Sequence, residues 1–193
     1  MKKSILIPFF SLLLFPLLAQ DAPIPKVGSK APLFAIQSLE YNNFVMAEKI
    51  QELKAKKGLM ILDFWATWCK PCMRELPEFE RIHKDLAAKG VQFFAVAIDD
   101  KRQDIWRYVK TEKKYTFPVL VDLNAFNAGR KYGADKTLPQ LFVIDGEGVI
   151  RYQHTGEIKN IEAALKGIAE SLQPGTFPEF KGKKIESGET SSH

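Results

Sequence analysis

Three observations predict an α/β fold built on a mixed central sheet flanked by helices. Runs rich in Val, Ile, Leu and Phe alternate with segments whose apolar residues recur every three or four positions. The run "LMILDFW" is too apolar for an exposed strand, and "QLFVIDGEGVIRYQHT" carries a strand-turn-strand signal late in the chain. The 193 residues, 46% of them hydrophobic with 14 phenylalanines, suffice for one substantial core.

The chain opens on "MKKSILIPFFSLLLFPLLAQ", where Lys2 and Lys3 precede an uncharged apolar run from Ile5 to Ala19. A basic start followed by a short apolar stretch is a secretory signal pattern, so residues 1–19 are read as a cleaved leader. The alternative is a retained anchor. The run is shorter than the roughly 20 apolar residues a spanning helix needs, and Pro8 and Pro16 interrupt it. No cysteine follows it to carry a lipid. Export, to a periplasmic or other extracytoplasmic space, would place both thiols of the chain where disulfides form and persist.

The expected domain covers residues 20–173 and begins with the proline-rich "DAPIPKVGSKAPLF". "LFAIQ" and "NFVMA" are expected to pair as a hairpin across Glu40 to Asn43, and "EKIQELKAKK" to form a surface helix ended by Gly58. "LMILDFW" is the buried strand. The helix after it carries Leu76, Phe79, Ile82 and Leu86 and ends near Gly90. The strand "VQFFAVAI", a helix from Arg102 to Lys113, the strand "PVLVD" and a helix near Ala125 to Tyr132 come next. A hairpin of "QLFVID" and "VIRYQHT" precedes a closing helix marked by Ile161, Ala164, Leu165, Ile168, Ala169 and Leu172. From Pro174 onward the chain is polar and reads as a tail, residues 174–193, adding little to the core.

The formal net charge is +5, with Lys2 and Lys3 among 28 basic residues facing 23 acidic ones. That balance argues against a nucleic-acid partner.

Both cysteines of the chain, Cys69 and Cys72, fall in "DFWATWCKPCMRELPEF", between the buried strand and the long helix. Pro71 stands in the first helical turn, where a missing N–H costs nothing. Free backbone N–H groups and the positive end of the helix dipole therefore face Cys69 and favour its thiolate, and Lys70 can add charge. Cys72, one turn further in, is expected to be less exposed and suited to resolve a mixed disulfide formed by Cys69. A structural zinc site lacks a second pair of ligands, since His83, His154 and His193 are scattered. A purely structural disulfide closing so short a loop removes little chain entropy. A peroxide-reducing site would have a proline seven residues and a Thr or Ser three residues before its reactive cysteine, where this chain has Leu62 and Ala66.

"ILDFWATWCKPCMRELPEF" resembles the active-site segment of the thioredoxin superfamily, and more narrowly of the exported TlpA/ResA-like thiol-disulfide oxidoreductases. "VGSKAPLF" is similar to that family's lead-in, and "FPVLVD", "LPQLFVIDGEG" and "HTGE" resemble its later landmarks in order, so the likeness covers Val27 to Leu172. It implies a thioredoxin-like fold with an added N-terminal β-hairpin and a central β-α insertion around Asp99 to Asp122.

Asp63 lies between "LMIL" and "FW", where burial would raise its pKa and let it accept a proton from the resolving thiol near neutrality. A solvated aspartate on a sheet edge is the plain alternative. Asp63 matches the buried aspartate of thioredoxin, six residues ahead of the first cysteine. Glu75, one turn after Cys72, matches a glutamate that the family associates with thiol acidity and partner recognition, and otherwise is an ordinary acid near a helix N-terminus. Pro139 matches the superfamily's cis-proline facing the dithiol, with Leu138 before it helping to set substrate preference. The plain alternative is a trans proline at a strand entry. Trp65 is expected to pack beneath the site and Trp68 to form part of an apolar docking surface. Pro77 is read as structural, and His83 and His154 have no partner visible in the sequence.

The expected protein is an exported, monomeric thiol-disulfide oxidoreductase with Cys69 as nucleophile, Cys72 as resolving thiol and Asp63 or Glu75 as proton acceptor. No metal or organic cofactor is expected beyond the redox-active Cys69–Cys72 disulfide. The resemblance implies protein disulfide substrates, often apocytochrome c, and a membrane-bound thiol reductase as electron donor. Two alternatives stand: an oxidant or isomerase on the same fold, and a non-catalytic docking module.

Overall fold

The computed structural model describes residues 24–99 and 101–165. The leader, the tail and the expected closing-helix residues Ile168, Ala169 and Leu172 lie outside the described residues. Seven strands form one sheet, ordered β2-β1-β5-β4-β3-β6-β7. They are β1 (Ala35–Ser38), β2 (Asn43–Val45), β3 (Leu59–Trp65), β4 (Val91–Ala97), β5 (Val119–Val121), β6 (Gln140–Asp145) and β7 (Ile150–Thr155).

β3, β4 and β5 run parallel, and antiparallel β1 and β6 border them on either side. All seven residues of β3 are buried, as expected of a strand with helices on both faces. The hairpin expected at the N-terminal side is β1–β2, with Ile36 opposite Phe44. The late hairpin is β6–β7, whose register shifts by one residue between Val143 and Ile144.

Side-chain alternation along β3 divides the core into two layers. On one side Phe64 meets Tyr132 (5.1 Å between ring centroids) and Phe142, with Phe44 against Phe94 nearby. On the other, the long helix α2 (Lys70–Ala88) lays Leu76, Phe79, Ile82, His83 and Leu86 on the sheet, and Phe79 stacks on Phe93 at 4.4 Å. Ile61, Asp63 and Trp65 alternate with the first set and share this second layer. Pro77 lies inside α2 on its exposed side.

The short helix α1 (Met46–Lys56) ends at a left-handed Lys57, and Gly58 then passes so close to Gly90 that a Cβ there would stand 2.7 Å from the Gly90 carbonyl oxygen. Leu59 N–H donates to that same oxygen, so the glycine brings β3 and β4 into register.

Two helices differ from expectation. The segment read as one helix over 102–113 is α3 (Arg102–Trp106) followed by a π-helical turn, Arg107–Glu112. The wider turn closes with Lys113 N–H on the Tyr108 carbonyl, and it buries the adjacent Tyr108 and Val109 together. The helix read from Ala125 is α4 (Ala128–Tyr132), because the Asp122 carboxylate accepts the N–H groups of Asn127 (3.0 Å) and Gly129 (2.6 Å) and fixes the start there. A single 3₁₀ turn, Leu123–Ala125, fills the gap. Residues 161–165 are helical, with Ile161 and Leu165 buried.

Candidate active site

The C-terminal ends of β3 and β4 meet the N-terminus of α2, the place where open α/β sheets hold their ligands. Cys69 and Cys72 are joined there as a disulfide. Cys69 is the N-cap of α2, and its sulfur accepts the N–H of Cys72 at 3.3 Å. A cap normally supplies an oxygen to this donor, so the sulfur occupies the position at which a 19-residue helix stabilises negative charge. Lys70 is exposed and Pro71 half-buried in the first turn.

The sequence reading expected Cys69 to be the open sulfur. The structure keeps the order but narrows the difference: Cys69 is 5% exposed and Cys72 1%. Cys69 lines a groove of about 400 Å³ together with Trp68, Lys70, Pro71 and Leu138. Ala134, Asp135, Lys136 and Thr137 complete its wall. Trp68 stands at its rim, 65% exposed, while Trp65 is fully buried beneath and tilts against Tyr108. The Leu138–Pro139 bond is cis.

Both acids singled out from sequence are buried. Asp63 comes from β3 and its Oδ1 has no hydrogen-bond partner among the described residues. Desolvation, and secondarily the charge of Glu75, hold its carboxyl well above the usual range. Glu75, from the second turn of α2, is pushed up to about 7, chiefly by burial. Its Oε1 accepts the Ile158 N–H, which opposes that rise. The segment bearing Ile158 is itself tied to α2 through the Arg74–Glu157 and Arg81–Glu162 ion pairs. Carboxyls whose pKa burial raises in this way can take up and return a proton near neutrality.

Sequence reasoning missed the residues that set the turn before Cys69. Asp99, buried just past β4, accepts the backbone N–H of Thr67 (2.9 Å) and also its hydroxyl, while its own carbonyl accepts the N–H of Asn124 at 3.1 Å. Gln140 donates to the Gly133 and Thr137 carbonyls at 2.7 and 3.1 Å and shapes the loop ahead of Pro139. The available signal was an acid closing an apolar strand run, in "FFAVAID" as in "VLVD". His83, without a visible partner in the sequence, contacts the Thr116 hydroxyl at 3.0 Å and lies far down α2.

The AhpC/TSA family matches residues 27–153. The chain is 33% identical over 150 residues to the thiol-disulfide oxidoreductase ResA of Bacillus anthracis, covering 77% of this chain and 80% of that protein. The chain belongs to the AhpC/TSA family, among its ResA-like thiol-disulfide oxidoreductases. A second relative is the thioredoxin-like protein YneN of Bacillus subtilis, 32% identical over 143 residues, 72% of this chain and 77% of that one. Among solved structures, a putative thiol:disulfide interchange protein DsbE from Chlorobium tepidum is 30% identical with a TM-score of 0.64, over 76% of this chain and 98% of that one. The fold is thus thioredoxin-like, with the β1–β2 hairpin added at the N-terminal side. Seven and three residues before Cys69 this chain has Leu62 and Ala66, where a peroxide-reducing site would have a proline and a hydroxyl residue.

Proposed function

We propose that this AhpC/TSA-family chain is an exported reductant of protein disulfides, acting as a monomer without metal or organic cofactor. The observation that carries the reading is a sulfur placed as the N-cap of a long helix and lining an open groove. Reduced Cys69 attacks one sulfur of a substrate disulfide as the thiolate, forming a mixed disulfide and releasing the other substrate sulfur. Cys72 then loses its proton to Asp63 or Glu75 and attacks the Cys69 sulfur. That step expels the second substrate thiolate and closes the Cys69–Cys72 bond. Leu138, Pro139 and Trp68 line the path of the substrate chain, while Lys70 and the Pro71 turn favour the thiolate.

Two electrons leave with the substrate, so a dithiol donor has to reopen the bond. A membrane-bound thiol reductase is the donor we assign, and apocytochrome c fits the substrate class. Among the described residues no helix is long and apolar enough to cross a membrane, and export rests on the leader pattern of residues 1–19.

The test is the Cys72→Ser variant, which cannot resolve the mixed disulfide. Expressed in an exporting cell, it is expected to be recovered linked to partner proteins through Cys69, and Cys69→Ser abolishes the adducts. Recovery of Cys72→Ser free of adducts would refute the proposal. Direction is read from the reduction potential, with about -270 mV marking a reductant and about -120 mV an oxidant.

A further inference from the structure

We propose that a second pocket, next to the dithiol groove, seats an apolar side chain of the substrate polypeptide two residues from the cysteine under attack. This deepens the disulfide-exchange reading and rests on it. The pocket measures about 260 Å³ and is lined by Trp68, Ile98, Asn124, Ala125, Ala134 and Asp135. Trp68, Ala134 and Asp135 also line the groove at Cys69, so the two adjoin. Ile98, Ala125 and Ala134 are buried and make an apolar floor. Leu123 and Phe126, the latter 76% exposed, extend the apolar surface beyond it.

Size and spacing choose the occupant. The volume falls below the about 300–1,000 Å³ of small-molecule sites, which suits one side chain. In an extended polypeptide, side chains on one face are about 7 Å apart along the strand. Because the pocket shares three wall residues with the groove at Cys69, we assign it to the next same-face residue of a chain that presents its cysteine there. Asp99 places both walls: its carboxylate holds the turn that presents Trp68, and its carbonyl holds Asn124. Asn124 and Ala125 are kept in left-handed conformations (φ 57° and 51°), a region that L-residues other than Asn and Asp rarely adopt.

The experiment uses the reduced full-length protein and short peptides bearing one cysteine as a mixed disulfide with glutathione. Leu, Ser or Lys stands two residues before or two residues after that cysteine, and single-turnover rates are compared with that for glutathione disulfide. Leu at one of the two positions is expected to exceed Ser by about tenfold, with no preference at the other. Asn124→Asp keeps the left-handed backbone and sets a carboxylate at the pocket mouth. It is expected to erase the Leu preference and to raise the rate of the Lys peptide at that same position.

No Leu preference, an equal one at both positions, or a preference untouched by Asn124→Asp would overturn the proposal while glutathione disulfide still reacts. Failure of glutathione disulfide and every peptide to react would overturn the exchange reading and the pocket with it. Self-association of the wild type that Asn124→Asp abolishes would assign the pocket to a second copy of the chain instead.

Discussion

Replacing Glu75 by Gln should change how stability depends on pH. The unfolded chain gives up this proton near 4.5 and the folded one near 7, because burial disfavours the carboxylate. Between those values the native state holds more protons than the unfolded state, so its stability falls as pH rises, and the loss is complete above 7. At about 1.4 kcal/mol per pH unit the shift amounts to about 3 kcal/mol, and solvent screening at the edge of the site reduces this to about 2. Gln cannot titrate, yet its amide oxygen can still accept the Ile158 N–H that Glu75 Oε1 accepts now.

Urea unfolding of the oxidised protein, repeated from pH 5 to 8, is the assay. The stability of Glu75→Gln minus that of wild type should rise by about 2 kcal/mol across that range. A difference constant to within about 0.5 kcal/mol would refute the argument that burial of this acid raises its pKa. A difference that falls with pH would mean that the Ile158 N–H outweighs desolvation.

Asp63→Asn removes the second buried acid, and turnover of a disulfide substrate at pH 7 should drop by about 100-fold if Asp63 accepts the Cys72 proton. Alkylation of reduced Cys69 in that variant should stay within about twofold of wild type, which separates the resolving step from the first attack. Phe79→Ala empties the space over Phe93 in the α2 layer and should cost about 3–5 kcal/mol in denaturant unfolding, without altering the pH at which Cys69 ionises.

The order of strands and helices was legible because β3, β4 and β6 are predominantly apolar runs and α2 repeats Leu76, Phe79, Ile82 and Leu86 at helical spacing. The two cysteines and Pro71 placed the site at a strand-to-helix junction by local chemistry alone. What escaped depended on contacts between distant residues. A 3.6-residue period carries no trace of the π turn at Arg107–Glu112, where one wider turn lets Tyr108 and Val109 point inward together. The start of α4 is set by the carboxylate of Asp122, several residues upstream of its first turn. The near-equal burial of Cys69 and Cys72 is a property of the packed site, whose groove is lined in part by Leu138 from a different strand connection. Asp63 and Glu75 each stood out in the sequence, but the effect of the Glu75 charge on Asp63 belongs to the packed arrangement of β3 against α2.

The Ile158 N–H that reaches Glu75 sits 83 positions further along the chain. A fragment ending after β7 would keep both sulfurs, the whole sheet and α2, but would lose both the Ile158 donor that lowers the pKa of that acid and the Glu157 charge that raises it. Proton handling under the disulfide is therefore set partly by the segment after the last strand. Grafting the strand-to-helix junction onto another scaffold would transplant the sulfurs and leave behind the means of tuning them.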